Sequence, residues 1–393
     1  MKKPTLVNHP PKVEMPPDNH PVGAPIYQNV KFEFDDVAQT MRFLRGERPG
    51  FFYQRNSNPT TRQLELTLAA LQGRDDCLTT STGVGAVAQT LLALTKQGDH
   101  VLCFIETYNP TRYIIRRLLS RFGVAHSMLS IEDLCGIERA LAAQPTRLVF
   151  FESPTNPVTK IADIAAITHL AQVHGALSVL DNTFAGFHQH GEYDLDVFVH
   201  SLTKYASGTG DVMGGAVIAR AELIRLLRTD FGALGGALDP HSAFLIQRGL
   251  KTYFVRYAAQ CSSAMRIARL LASHPLVARV NYPGLPEHPQ HALAARQMRE
   301  FGSIVSVDLK GGLAAGGHFA ESLELFALSA SLGSTESLVV APQMMVGRDL
   351  TTEQLRISAV TEGTVRLSIG LEDEEDLVAD LLQALDAVRT RSD

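Results

Sequence analysis

Apolar residues fall into two patterns along this chain. Between about residues 80 and 220, unbroken runs of Val, Leu, Ile and Phe alternate with stretches where apolar positions recur every three or four residues. The runs are His100–Ile105 (HVLCFI), Arg147–Glu152 (RLVFFE), Leu177–Asp181 (LSVLD), Val197–His200 (VFVH) and Gly215–Ala219. Continuous rather than alternating runs mark strands covered on both faces, hence a mostly parallel sheet. Ser81–Lys96, Thr111–Phe122, Glu132–Ala143 and Ile161–His174 read as helices between them. Repeated β-then-α spacing predicts a doubly wound α/β core. From Asp239 to Leu271 the pattern is that of one long helix or a helix pair. Beyond it come the strand ARVNYP, a helix near His291–Phe301, the strands SIVSVDL and TVRLSIG with a helix between them, and a terminal amphipathic helix. This predicts an arm over 1–60, a large domain over 61–255 and a smaller α+β domain over 256–393.

Composition narrows the class. A chain of 393 residues is long enough for two or three domains at about 150 residues each. Its 45% hydrophobic and 20% charged content is that of a soluble globular protein. The net charge of −5 and the lack of a basic block argue against nucleic-acid or anionic-membrane partners. No stretch approaches the roughly 20 apolar residues of a membrane span, and the N-terminus lacks a signal-peptide core, so a cytoplasmic location is expected. Cys77, Cys103, Cys135 and Cys261 are far apart with no C-x-x-C pair, so they read as small buried residues and not as a disulfide or zinc set. Seven of the 19 prolines lie in the first 25 residues. That stretch is therefore an extended arm, either disordered or ordered only by packing on another subunit.

In open α/β sheets ligands bind beyond the carboxyl ends of the strands. The turn Thr82-Gly83-Val84-Gly85 opens a helix whose free amides favour an anion. HVLCFI ends in Glu106-Thr107-Tyr108, RLVFFE in Ser153-Pro154-Thr155-Asn156, LSVLD in Asp181, and VFVH in Ser201-Leu202-Thr203-Lys204. Each has a plainer explanation singly: a helix start, a rim aromatic, a turn, a cap, a solvated lysine. Their coincidence at successive strand ends supplies what pyridoxal phosphate needs. It requires a phosphate cup, a ring to stack on, a donor to the phenolic oxygen, an acid at the pyridine nitrogen and a lysine for the Schiff base.

Those residues also carry a family resemblance. YQRNSNPT (53–60), ESPTNP (152–157), LDNTF (180–184), HSLTKYASGTGD (200–211), QRGLKT (247–252), NYPGLPEHPQH (281–291), ASLGSTESL (330–338) and VRLSIGLEDEEDL (365–377) occur in order. The chain resembles the transsulfuration (Cys/Met metabolism) family of pyridoxal-phosphate enzymes, the group of cystathionine γ-lyase, methionine γ-lyase and cystathionine γ-synthase. The resemblance implies the aspartate aminotransferase-like fold (fold type I). It implies that Lys204 carries the cofactor and shuttles protons, that Asp181 keeps the pyridine nitrogen protonated, and that Tyr108 stacks on the ring and acts in acid–base steps. Asn156 would bond the phenolic oxygen, and Gly83, Val84, Ser201 and Thr203 the phosphate. Tyr53 and Arg55 would reach the phosphate of a neighbouring subunit's cofactor, making the active unit an oligomer, usually a tetramer built as a dimer of dimers. Arg366 would clamp the substrate carboxylate, helped by Ser331. The residue-based alternative for Arg366 is a cross-strand ion pair.

Several positions depart from the family pattern. Tyr108-Asn109-Pro110-Thr111 stands where the family commonly has Tyr-Gly-Gly-Thr, placing Asn109 beside the substrate side chain. Gly208-Thr209-Gly210-Asp211 replaces Gly-His-x-Asp, and Met345-Val346-Gly347 replaces Met-Thr-His. Ala330 stands where cystathionine-handling members carry Glu before the serine. These changes sit where the distal side chain is chosen. They predict γ-elimination on an L-amino acid with a leaving group at Cγ, methionine-, homoserine- or canavanine-like, and poor use of cystathionine. The alternative is γ-replacement, in which a thiol adds to an O-acylhomoserine-derived intermediate. A non-catalytic binding protein is disfavoured by retention of Lys204, Asp181, Tyr108 and Arg366. A dinucleotide-binding dehydrogenase is disfavoured because TGVG does not extend to G-x-G-x-x-G.

Overall fold

The unbroken apolar runs become the middle of a seven-stranded sheet. The structure, a computed structural model, describes residues 18–345 and 349–392; the prolines before residue 18 and Val346–Gly347 lie outside them. The strands are β1 (Asp76–Thr80), β2 (His100–Phe104), β3 (Ala125–Leu129), β4 (Leu148–Glu152), β5 (Leu177–Asp181), β6 (Val197–Ser201) and β7 (Gly215–Ala219). They lie in the order β1-β7-β6-β5-β4-β2-β3. Pairing is parallel from β3 through β6, while β7 runs antiparallel to both β6 and β1. Successive residues serve opposite cores, as a sheet covered on both faces requires. Leu102, Phe104, Val149, Phe151, Leu180 and Phe198 fill one core, and Val101, Cys103, Leu148, Phe150, Val179 and Val199 the other.

Helix boundaries follow their caps. The first predicted helix spans Gly83–Leu94, with the Thr82 hydroxyl accepting from the Gly85 amide. The third and fourth predicted helices start later than expected, at Leu134 and Ile164, because Asp133 and Asp163 are the N-caps. The stretch predicted as one amphipathic helix over Thr111–Phe122 is corrected in kind. It winds as α over Asn109–Tyr113, π over Ile114–Leu118 and 3-10 over Leu119–Phe122. Two strands escaped the sequence pattern. β1 (DCLTT) is polar in sequence but buried, and β3 is an edge strand with no fully buried position. Cys135 is exposed, unlike the three other cysteines, and all four are free.

The stretch predicted as helix from Asp239 is a pair, Pro240–Leu250 and Tyr253–Ala272. The second belongs to two cores: Tyr253, Tyr257 and Cys261 pack with the large sheet, and Ala264, Ile267, Ala268 and Leu271 with the second sheet. That sheet comprises β8 (Val277–Asn281), β9 (Ile304–Leu309), β10 (Ala327–Leu328), β11 (Leu338–Val340) and β12 (Thr364–Ser368), in the order β10-β11-β12-β9-β8. The short β10 and β11 and a helix at Thr352–Ser358 were not legible in the sequence. Among the described residues no helix is long and apolar enough to cross a membrane.

Candidate active site

The carboxyl ends of β4, β5 and β6 open side by side, in register as Glu152 beside Asp181 and Asp181 beside Val199. Asp181 is half-buried at the end of β5. The Thr183 amide and hydroxyl both donate to its Oδ1, at 3.1 and 2.6 Å. The same hydroxyl accepts from the Ser201 amide at 2.9 Å, so Thr183 ties the β5 carboxylate to the end of β6. Burial raises the Asp181 pKa while the two Thr183 bonds oppose it. Thr183 was not singled out from the sequence; its hydroxyl two residues after an aspartate was the available signal.

Ser201 also packs on the N-terminus of helix Gly83–Leu94. A Cβ at Gly83 would come within 2.6 Å of the Ser201 Cβ, so this approach admits only glycine. The amides of Gly83 and Val84, in the first turn, have no intrahelical acceptor. Thr203 lies nearby, its Oγ1 accepting from the Gly214 amide at 3.1 Å. Of the four residues read as a phosphate cup, Gly83 and Ser201 are thus in contact, with Val84 and Thr203 close to them along the chain.

Lys204 follows directly, and its Nζ donates to the Ser331 Oγ at 2.7 Å. Burial, with the nearby Arg366 guanidinium second, lowers the Lys204 pKa to about 8. Ser331 has φ of 102°, a strained conformation for a residue with a Cβ. Its carbonyl accepts from Arg366 Nη2 at 2.7 Å, and Asn156 Oδ1 accepts from Nη1 at 2.8 Å. Arg366, in the centre of β12, is only 7% exposed and its Nε is buried without a partner. Among the described residues no carboxylate pairs with it, so the cross-strand ion-pair reading does not hold. Burial lowers its pKa to about 10.

Tyr108 caps the short helix Asn109–Tyr113 and is 42% exposed; burial of the rest of the ring raises its pKa. Asn109 turns its amide to Asp349 Oδ1 at 2.9 Å. Arg112, buried one turn along, forks onto both Asp349 oxygens at 2.9 Å each and also donates to the Ile105 and Thr107 carbonyls. This latch links residues about 240 positions apart and had no sequence signal. Ala330 is exposed, and Thr209 bonds its own loop at Asp211. Tyr53 and Arg55 are not brought to Lys204. The Arg55 guanidinium lies over the Tyr53 ring, and Arg55 lines a cavity of about 30 Å³ with Gln89, Arg228 and Phe231.

A half-buried lysine and a buried arginine with no counter-anion among the described residues, a carboxylate at a neighbouring strand end and a helix N-terminus with free amides are the groups a pyridoxal-phosphate enzyme needs. The chain belongs to the Cys/Met metabolism PLP-dependent enzyme family, whose model matches residues 5–386. It is 39% identical over 374 residues to the L-methionine gamma-lyase of Fusobacterium nucleatum subsp. polymorphum, covering 93% of this chain and 94% of that one. The fold superposes on cystathionine gamma synthase from Xanthomonas oryzae pv. oryzae with a TM-score of 0.87 and 37% identity, covering 93% of each chain. On cystathionine gamma-lyase from Lactobacillus plantarum the TM-score is 0.86 at 32% identity, again covering 93% of each.

Proposed function

We propose that the protein catalyses γ-elimination on an L-amino acid bearing an uncharged leaving group at Cγ, of the methionine kind. The observation that carries the amino-acid substrate is buried Arg366 with an orphaned Nε and, among the described residues, no carboxylate partner, one serine away from Lys204. A buried guanidinium left unpaired is costly unless a ligand anion completes it. An α-carboxylate suits its fork. Pyridoxal phosphate, when bound, serves as the electron sink for carbanions at Cα and Cβ.

The remaining work falls to the side chains. Lys204, whose pKa sits near 8, is neutral often enough near pH 8 to take the Cα and then the Cβ proton. Asp181, steadied by the two Thr183 bonds to its Oδ1, would hold the cofactor's ring nitrogen in its protonated form. Tyr108 stacks on the ring and assists proton transfer, Asn156 bonds the phenolic oxygen, and Gly83, Val84, Ser201 and Thr203 bind the phosphate. Ser331 holds Lys204 and Arg366 in one geometry. On the distal side Arg112 is engaged by Asp349, Asn109 by the same carboxylate, and Ala330 offers no charge. That environment suits an uncharged substituent better than the charged amino-acid end of cystathionine.

The arm over 1–60, the cofactor domain over 61–255 and the C-terminal domain over 256–393 complete the proposal. The placement of Tyr53 and Arg55 away from Lys204 supports their donation to a neighbouring subunit's cofactor. Exposed Val37, Met41, Leu44 and Phe52 on the arm support a homo-oligomer; a tetramer built as a dimer of dimers and a cytoplasmic location remain part of the proposal. The test is a panel of methionine, cystathionine, homocysteine, canavanine and O-acylhomoserines, read by 2-oxobutanoate and ammonia with and without added thiol. Methionine-type substrates should yield oxo acid without thiol, at rates at least about tenfold above cystathionine. Robust turnover of cystathionine would contradict the distal-side argument, and thiol-dependent consumption of an O-acylhomoserine to a thioether amino acid, with no oxo acid or ammonia from any substrate, would establish γ-replacement instead.

A further inference from the structure

The turn that carries Tyr108 is fastened on both sides to the segment between β11 and β12. Ahead of Tyr108, Lys160 Nζ donates to Glu106 Oε1 at 3.1 Å, to Glu132, and to the Ile357 carbonyl at 2.7 Å. Behind it, Asp349 Oδ1 accepts from Asn109 Nδ2 and Arg112 Nη2, and Asp349 Oδ2 accepts from Arg112 Nε, all at 2.9 Å. Arg116 Nη1 bonds the Asp349 carbonyl at 3.0 Å and lies 3.7 Å from Oδ2. Arg112 is buried, and its guanidinium is held a second time, Nη1 donating to the Ile105 and Thr107 carbonyls. Only its Nε–Nη2 edge faces Asp349, and that edge is the planar fork that pairs with a carboxylate. Among the described residues no other carboxylate pairs with Arg112 or Arg116.

We propose that Asp349 determines specificity on the distal side of the substrate: by filling the Arg112 fork, it restricts the pocket to side chains that end without an anion. The inference rests on the substrate-side place given to Asn109 in the proposed function. Asp349 is not needed to hold the turn, which Lys160 and the two Nη1 bonds keep in place without it. What it supplies is a negative charge against two guanidinium groups. Removing that charge opens the fork of Arg112 while its Nη1 still anchors the group, so the vacated edge is ready for a ligand carboxylate. Asn109 then loses its acceptor as well, and its amide becomes a further donor on the same side. The intact latch leaves neither donor free, which excludes acidic side chains by leaving their carboxylate unpaired.

The test compares the holoenzyme with Asp349→Asn, Asp349→Ala and Asp349→Glu, folding being checked by far-UV circular dichroism. The probes are L-norleucine and L-2-aminoadipate, side chains of equal carbon number that end in a methyl and a carboxylate. Neither has a leaving group at Cγ, so binding is read at equilibrium from the visible absorbance of the holoenzyme. Wild type should bind norleucine more tightly than 2-aminoadipate. In Asp349→Asn and Asp349→Ala a carboxylate gains charge-assisted bonds, so the ratio of the two dissociation constants should move at least about tenfold toward 2-aminoadipate. Asp349→Glu keeps the charge and should stay closer to wild type than either. If Asp349→Ala does not fold, Asp349→Asn, which preserves the volume of the side chain, carries the test. A merely structural tie would weaken both ligands alike and leave the ratio where it was. The inference is overturned by that result, by a wild type that prefers 2-aminoadipate, or by Asp349→Glu shifting as far as Asp349→Asn. None of these outcomes touches the γ-elimination reading, which stands or falls on oxo-acid formation by the wild-type enzyme.

Discussion

Replacing Arg366 by methionine removes a buried guanidinium while filling much of its volume. Its Nε is free, and two further donors are held at 2.8 and 2.7 Å by Asn156 and Ser331. A carboxylate received in the fork makes two charge-assisted hydrogen bonds, about 1.5–3 kcal/mol each. Their loss from the transition state amounts to about 3–6 kcal/mol, a fall of roughly 10² to 10⁴ in kcat/KM. Stability should change much less. Two oxygens lose a donor at about 1–3 kcal/mol each, but relief of an unpaired buried cation, worth several kcal/mol, offsets this. The assay is steady-state oxo-acid formation from methionine and from methionine amide, alongside thermal unfolding of the apoprotein. Wild type should strongly prefer the acid, and Arg366→Met should lose the preference. A folded variant retaining kcat/KM within tenfold, or retaining the preference, would show that another group holds the carboxylate.

Gly83→Ala should weaken cofactor binding at least about tenfold in a direct titration, because the new Cβ lies 2.6 Å from that of Ser201 and would force the helix N-terminus off the cup. Cofactor-free protein should gain stability from pH 8 to 10.5 through Lys204. Its folded pKa near 8 lies below the ordinary 10.5, so the unfolded chain binds more protons in that window. In urea titrations the advantage of Lys204→Met over wild type should therefore shrink as pH rises from 8 to 10.5; a constant difference would refute the lowered pKa. His190 and His200, buried and held near pKa 3 against an ordinary 6.5, make the fold acid-labile. Each should withdraw about 2 kcal/mol between pH 7 and pH 5, and unfolding midpoints independent of pH there would refute their neutrality.

The strands that carry the site were legible because burial on both faces demands unbroken apolar runs, which β2, β4, β5, β6 and β7 possess. β1 lacked that mark: Thr79 and Thr80 are buried in it, and Glu65 accepts from the Thr79 amide and hydroxyl. The α–π–3-10 winding after Tyr108 was equally hidden. It accompanies Arg112 and Arg116 both reaching Asp349, a contact that no local periodicity encodes. Lys204, Asp181 and Asn156 stood out because each lies at, or a few residues beyond, the carboxyl end of a strand. Thr183 and the Arg112–Asp349 latch act through neighbours fixed only by the three-dimensional fold. For the same reason Asn109 could be flagged as a substrate-side departure but not as a partner of Asp349.

The most direct test of γ-elimination is methionine turnover in deuterium oxide. Loss of the Cγ substituent after removal of the Cα and Cβ protons, followed by deuteron addition first at Cγ and then, as the released enamine tautomerises, at Cβ, predicts 2-oxobutanoate labelled at both C3 and C4, with one ammonia and one methanethiol per oxo acid. An oxo acid that still carries sulfur, unlabelled C4, or no oxo acid from any γ-substituted amino acid would contradict it.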